Sequence, residues 1–194
     1  MSRSINIVYK TGILSKRWKH LWTSVPFLIF IDNHLVSDFV SLVNKTLTQC
    51  NQLKLKSFKL NASYNTRFNS EFNNWIRYAV SCHVEEINLS LCNTGNGTEF
   101  VFDQFFFINT CFTDLKLSGC IINLIGAISW KNLRSLRISH RKLDEELIEN
   151  ILSGSPLLET LVLEYCYGYR VLNITSQIVK KLVLFGYVDL DDHY

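Results

Sequence analysis

The segments INLSLC (87–92), LKLSGC (115–120) and LVLEYC (161–166) share one pattern. In each of them, two apolar residues stand two positions apart and a cysteine follows three residues after the second. Alternation of apolar and polar residues is typical of a β-strand with one buried face. A strand of this kind that recurs along the chain predicts a fold built from stacked copies of one structural unit.

Related pairs without the cysteine extend the series: Phe58-x-Leu60, Leu136-x-Ile138, Leu172-x-Ile174 and Leu182-x-Leu184. The second apolar residues of all copies fall at 60, 89, 117, 138, 163, 174 and 184, so the spacings are 29, 28, 21, 25, 11 and 10 residues. The first four spacings suit leucine-rich repeats of about 20 to 29 residues, each a strand plus a returning segment. The last two are too short for a helix, so a tighter loop is expected there. The alternative is an ordinary α/β domain with leucine-rich strands.

The segments between these strands carry helical patterns. Phe27 to Ile31 predicts a short strand, and Leu53 to Leu60 predicts the first repeat strand. Two amphipathic helices are predicted from apolar residues at helical spacing, namely Phe39, Leu42, Val43 and Leu47 behind Ser37, and Phe72, Trp75, Ile76, Ala79 and Val80. Strand, helix and strand therefore alternate, which predicts an α/β solenoid with a parallel sheet on its concave face.

Composition limits the classes of protein to which the chain can belong. Its 194 residues are 47% hydrophobic and 13% aromatic, which suffices for a core. A net charge of +3 is too small to indicate a nucleic-acid partner. No apolar run approaches the roughly 18 residues of a membrane helix, and residues 1–12 lack the pattern of a signal peptide. We therefore expect a monomer in the cytoplasm or nucleus, with its six cysteines reduced.

Catalytic patterns are missing from the sequence. No serine stands in a nucleophile elbow, and no cysteine pair has zinc-ligand spacing. The acidic tail, with Asp189, Asp191, Asp192 and His193, is interpreted as a solvated chain end rather than a metal site. The sequence thus predicts a protein that is not an enzyme and uses no cofactor.

The charged residues are divided between two neighbouring segments. Six lysines and arginines and no acid lie between Asp114 and Asp144, whereas six acids and no lysine or arginine lie from Asp144 to Tyr169. In stacked repeats these segments are neighbours, so their charges should partly neutralise one another. The alternative is a dipolar patch that orients a partner.

The repeat pattern also predicts where a partner binds. Side chains that flank the buried pairs should line up on the concave face: Asn88, Ser90, Lys116, Ser118, Arg137, Ser139, Val162 and Glu164. The outer members would be Asn173, Thr175, Val183 and Phe185. Because Lys116 and Arg137 lie in the segment without acids, we expect an acidic stretch of a partner protein to contact them.

The N-terminal segment LSKRWKHLWTSVPFLIFID (14–32) carries a further pattern. Leu14, Trp18, Leu21, Trp22 and Val25 recur at helical spacing before Pro26. Its lysines and arginine lie on the other face, which is typical of a solvated surface; nucleic-acid binding is the alternative. One such helix cannot bury two tryptophans alone, so Trp18 and Trp22 are expected to face either the core or a partner.

This segment closely resembles the end of the F-box and the connector after it in plant F-box proteins with leucine-rich repeats, a group that often carries an FBD domain. The resemblance continues through WIRYAVSCHVEEINLSLC (75–92), FTDLKLSGCII (112–122), ENILSGSPLLETLVLEYCYG (149–168) and YRVLNITS (169–176). It implies a substrate receptor of an SCF-type ubiquitin ligase, in which the F-box binds a Skp-type adaptor and the repeats hold a protein substrate. Leu14, Trp18, Leu21 and Trp22 would be what remains of the adaptor-binding surface.

The sequence departs from that family at both ends. Residues 1–12 show neither the Leu-Pro start nor the amphipathic helix of a complete F-box, and no FBD region follows the repeats. We therefore expect a partial F-box over residues 1–26, containing only its last helix, and a leucine-rich-repeat region over residues 27–194. The alternative function is a truncated binding or decoy protein that no longer binds the adaptor.

Overall fold

The computed structural model describes residues 26–32, 38–50, 54–93, 99–122, 126–172, 174 and 178–186. The predicted N-terminal helix, with Leu14, Trp18, Leu21 and Trp22, lies outside these residues. None of the described helices is long and apolar enough to cross a membrane.

In the part of the chain that the structure describes, seven strands form one sheet in which all neighbours are parallel. In spatial order they are β1 (Phe27–Ile31), β2 (Ser57–Tyr64), β3 (Glu86–Asn93), β5 (Asp114–Ser118), β7 (Ser135–Ser139), β8 (Thr160–Glu164) and β9 (Lys181–Phe185). A second parallel pair joins β4 (Phe100–Val101) to β6 (Cys120–Ile121). The predicted parallel α/β architecture is confirmed.

Among the described residues, three α-helices connect strands of this sheet: α1 (Phe39–Gln49), α2 (Asn69–Ser81) and α3 (Glu145–Gly154). Both α1 and α3 begin behind an aspartate whose carboxylate accepts a backbone hydrogen bond, from Ser41 to Asp38 at 2.9 Å and from Leu147 to Asp144 at 2.8 Å. The start of α1 is thus capped by Asp38; the predicted Ser37 lies outside the described residues. Short 3₁₀ turns occur at Thr66–Phe68 and Gln104–Phe106.

The apolar residues of the strands form two rows that run across the whole sheet. One row is Leu28, Phe58, Ile87, Leu115, Leu136, Leu161 and Leu182, and the other is Phe30, Leu60, Leu89, Leu117, Ile138, Leu163 and Leu184. All members before β9 are at most 3% exposed, which confirms the predicted burial of the Leu-x-Leu pairs. On β9, by contrast, Leu182 and Leu184 remain 43% and 48% exposed.

Aromatic residues fill the core between β3 and β5, where the described connection contains no α-helix. Phe100, Phe106 and Phe112 are fully buried. The indole of Trp130 packs against this cluster, and its Nε1–H donates to the Phe106 carbonyl at 2.9 Å. The hydrogen bond satisfies the polar edge of a fully buried ring, so the tryptophan can stay in an apolar core.

The prediction of a strand at Leu172-x-Ile174 is wrong. Neither residue is in a strand, and β9 pairs with β8 so that Leu184 aligns with Leu163, which makes the last repeat 21 residues long. Leu172 and Ile174 are instead partly buried against the core. The prediction of a tight terminal loop is therefore wrong as well, because Leu172 and Ile174 belong to the segment that returns from β8 to β9. Similarly, β2 begins at Ser57 rather than at Leu53.

The backbone reverses its alternation where three of the strands end. The residues that follow β5, β7 and β8 are Gly119, His140 and Tyr165, and all have positive φ. At Gly119 a Cβ would lie 1.7 Å from the Leu91 carbonyl oxygen, so only glycine fits. The next residue of each repeat then turns inward, as the burial of Cys120, Arg141 and Cys166 demonstrates. The inward-facing side chain of Arg141 forms an ion pair with Glu99.

The repeat cysteines therefore differ in environment. Cys120 and Cys166 are buried, but Cys92 is exposed. The reason is that β3 continues to Asn93 without a positive-φ residue, so the alternation places Cys92 on the outside. Burial raises the pKa of the Cys120 thiol to about 12 and also raises that of Cys166.

Truncation of the buried leucines tests the repeat core. Leu115→Ala and Leu136→Ala should each lower the free energy of unfolding by about 2 to 5 kcal/mol, because each removes a fully buried side chain and leaves a cavity. Urea unfolding measures the loss. Lys116→Ala, on the opposite side of β5, is the control and should cost less than about 1 kcal/mol. Equal losses in all three variants would contradict the assignment of the buried face.

Thiol reactivity tests the turn geometry. Cys92 is exposed and Cys111 half-buried, whereas Cys50, Cys82, Cys120 and Cys166 are buried. The folded protein should therefore react rapidly with dithionitrobenzoate at two thiols, and the other four should react only after unfolding. Rapid reaction at Cys120 or Cys166, identified by peptide mapping, would contradict the inward turn after the strands.

Candidate interaction face

The strand residues that alternate with the core form a second face of the sheet, the open face. The register aligns them in three rows across the strands. The first row is Phe27, Ser57, Glu86, Asp114, Ser135, Thr160 and Lys181; the second is Ile29, Lys59, Asn88, Lys116, Arg137, Val162 and Val183; the third is Ile31, Asn61, Ser90, Ser118, Ser139, Glu164 and Phe185. The open face is thus a continuous surface to which every repeat contributes three residues.

The eight side chains predicted for partner binding lie together in this arrangement. Asn88, Lys116, Arg137 and Val162 are consecutive in the second row, and Ser90, Ser118, Ser139 and Glu164 are consecutive in the third. Asn173 and Thr175, predicted as outer members, lie outside the described residues. Val183 and Phe185 extend the two rows as expected.

Two of the eight are less accessible than expected. Lys116 and Arg137 are exposed, but Ser139 and Val162 are only 7% and 6% exposed. Val162 lies between Arg137 and Val183 in its row, and the Ser139 hydroxyl donates to the Glu164 carboxylate at 3.0 Å. Alternation fixes the side of the sheet on which a residue lies, but the neighbouring side chains decide how much of it stays accessible.

Most of the charges on the open face are paired within it. The Arg137 guanidinium donates to Glu164 Oε1 at 2.9 Å, and Lys116 Nζ lies 3.5 Å from Asp114 Oδ1. Beside the face, Arg134 pairs with Glu159 at 3.0 Å. The predicted neutralisation of the basic segment by the acidic segment is confirmed at the two arginine pairs, which link β7 to β8. An acidic stretch of a partner would have to compete with Glu164 and Asp114.

Two rings at the end of the strands, His140 and Tyr165, were not predicted as part of the site, and they lie beside the predicted Phe185. His140 stacks on Tyr165 with ring centroids 4.9 Å apart, and Phe185 meets Tyr165 edge to face at 5.2 Å. All three residues are exposed. His140 and Tyr165 adopt φ of 57° and 52°, a conformation that costs a non-glycine residue free energy. The signal for His140 and Tyr165 was an aromatic or histidine residue directly after the strand.

The described chemistry of the face is that of a binding surface. It combines amide and hydroxyl groups, paired charges and exposed rings, which suit hydrogen bonding and packing against another protein. Among the residues that the structure describes, no group of three or more histidine, cysteine, aspartate or glutamate side chains is arranged to hold a metal ion.

Comparison with known proteins supplies a family for this architecture. The family model described as "At1g61320/AtMIF1, LRR domain" matches residues 42–191. The chain is also similar to three Arabidopsis thaliana proteins. It is 31% identical to F-box protein At5g03100 over 93% of this chain and 57% of the relative. It is 34% identical to putative F-box/LRR-repeat protein At3g18150 over 87% of this chain and 35% of the relative. It is 30% identical to F-box/LRR-repeat protein 25 over 89% and 65%.

The chain therefore spans about a third to two thirds of the length of these relatives. No solved structure matches it. The region matched by the family model begins within α1 and continues beyond β9, so it coincides with the repeats.

A double-mutant cycle tests the charge pairing on the open face. Removing Arg137, Glu164 or both by alanine substitution should give a coupling energy of about 0.2 to 1 kcal/mol, because both side chains are partly exposed. Urea unfolding at low and high salt provides the values, and the coupling should shrink with salt. A coupling of zero at low salt would mean that the two side chains do not pair in solution.

Proposed function

The chain belongs to the At1g61320/AtMIF1 family of leucine-rich-repeat domains and is a relative of plant F-box/LRR-repeat proteins, and from this we propose that it is the substrate-binding part of an SCF-type ubiquitin ligase receptor. The repeats are a protein-interaction module. In the proposed role the open face holds a protein substrate, and the N-terminal segment with Trp18 and Trp22 contacts a Skp-type adaptor. The protein would act in the cytoplasm or nucleus, where such ligases work.

The observation that carries this proposal is the continuous open face. Seven strands in register present three rows of side chains, and the exposed members are mainly polar. A surface assembled from many repeats can hold an extended or flexible partner, because successive repeats contact successive parts of it. Its amide and hydroxyl groups, such as Asn88, Ser90 and Ser118, suit main-chain hydrogen bonds of a bound segment. This arrangement favours binding rather than catalysis.

The ligase role depends on the adaptor contact, which the N-terminal residues would provide. Leu14, Trp18, Leu21 and Trp22 form the apolar side of the predicted helix. Tryptophans are frequent hot spots of protein interfaces, so these residues should account for much of the remaining adaptor affinity. In a complete F-box, the upstream half should supply the rest of the contact.

Adaptor binding tests the ligase role directly. We compare this chain with a protein in which the upstream F-box half of F-box/LRR-repeat protein 25 precedes it, and we titrate each with a purified Skp-type adaptor by calorimetry. The extended protein should bind, and Trp18→Ala together with Trp22→Ala should weaken that binding by at least about tenfold. Lys45→Ala, an exposed residue on α1, is the control and should leave it unchanged.

Three results would contradict parts of this account. If the extended protein does not bind, the ligase proposal fails and the chain is a binding or decoy module. If the chain alone binds as tightly as the extended protein, the upstream half is not required. If the tryptophan variant binds normally, the adaptor contact lies elsewhere.

A further inference from the structure

A groove of about 570 Å³ runs along the sheet edge at which the strands begin. We call it the rim groove. It is lined by residues that lie just before β2, β3, β5, β7 and β8, and its walls are Lys54, His83, Glu85, Thr110, Cys111, Thr113, Asn132, Arg134 and Leu157. Its volume is within the range of pockets that bind ligands, and it crosses several repeats.

Cations outnumber carboxylates on the walls of the rim groove. Lys54 Nζ lies 2.9 Å from Glu85, and Glu159 accepts contacts from Arg134 at 3.0 Å and from Lys180 at 3.2 Å. The hydrogen bond and charge of Lys54, and more weakly the charge of Lys56, hold the pKa of Glu85 below its ordinary value. Of these charged residues, Lys54, Arg134 and Glu85 line the groove itself, so its walls carry two cations and one carboxylate. On the open face, in contrast, Arg137 and Lys116 each have their own acid.

The ion pairs in and beside the rim groove are formed by exposed basic side chains. The side chains of Lys54, Arg134 and Lys180 are 70%, 62% and 72% exposed. Exposed ion pairs contribute little to stability, because water screens them and long side chains lose freedom in them. Carboxylates of a bound segment can take the positions that Glu85 and Glu159 fill in the free protein.

The groove walls add polar groups that suit an oxygen-rich ligand. The hydroxyl of Thr113 donates to the Glu85 carbonyl at 3.2 Å, and the Asn132 amide donates to the Thr110 carbonyl at 2.6 Å, so these side chains are held in place. His83 lies at the end of α2 with a φ of 54°, where glycine is usual. Strained residues of this kind persist where the surrounding structure imposes them, often at binding sites.

We propose that the rim groove binds an aspartate- or glutamate-rich segment of the partner protein that the open face holds. This inference rests on the proposed function, since it names the chemistry of the same partner. Glu85, Thr113 and Arg134 directly precede the first row of the open face at Glu86, Asp114 and Ser135, so one partner chain can contact both surfaces. The sequence predicted that an acidic stretch of the partner contacts Lys116 and Arg137. The present proposal places that stretch in the rim groove instead.

The test uses fluorescein-labelled hexaglutamate, with hexaglutamine as the neutral control peptide, and measures anisotropy against the whole chain at about 50 mM salt. Lys54→Gln with Arg134→Gln should weaken hexaglutamate binding at least about tenfold, because two charge-assisted contacts are lost. The matched variant, Lys45→Gln with Lys142→Gln, removes the same charge from exposed residues outside the groove and should bind like the unchanged chain. Lys54→Arg with Arg134→Lys should retain binding.

Three outcomes would overturn the proposal. An equal loss in the matched variant means that the peptide senses only net charge. A loss caused by Lys116→Gln with Arg137→Gln, but not by the rim variant, places the acidic segment on the open face. Absence of any binding to the unchanged chain at millimolar peptide removes the site. Adaptor binding, measured on the same variants, reports on the proposed function separately, so it can stand when the rim proposal fails.

Discussion

The structure depends on a parallel register that is repeated from strand to strand. The carbonyl before each strand accepts two backbone N–H groups from the next strand in the sheet: the Glu85 carbonyl, for example, accepts from Thr113 at 2.7 Å and from Asp114 at 3.3 Å. The same bifurcated contact recurs at Pro26, Lys56, Thr113, Arg134 and Glu159. No strand of this kind can bury its apolar side alone, so each repeat is stabilised by its neighbours. A shift of one residue in any strand would expose its leucines and bury its polar side chains.

Sequence alone predicted the repeats because their signal is strong and local. Alternating Leu-x-Leu pairs identified the strands, and apolar residues at helical spacing identified α1 and α2. The errors have physical causes. Leu172-x-Ile174 has the same alternation as a strand, but it belongs to a returning segment whose apolar residues also face the core. Cys92 lacks the left-handed residue that turns its counterparts inward, and the conformation of that one backbone position is not encoded in the apolar pattern.

The candidate site was predictable only in part. Alternation correctly placed eight residues on one face, but it gave no information on how side chains cover one another, and so Ser139 and Val162 were overvalued. The opposite charges of neighbouring repeats signalled the arginine pairs. The rim groove carried no such signal, because its walls come from loops far apart in sequence that meet only once the strands are stacked. Periodic patterns describe strands and helices, whereas the walls of this groove lie in the segments before the strands.

The measurement that tests this account most directly is the strand pairing in solution. Nuclear Overhauser contacts between backbone protons identify parallel neighbours and their alignment residue by residue. The account predicts that Lys116 shows the parallel pattern with Asn88 on one side and with Arg137 on the other. Antiparallel contacts at these positions, or an alignment shifted by one residue, would contradict the repeated register and the open face built upon it.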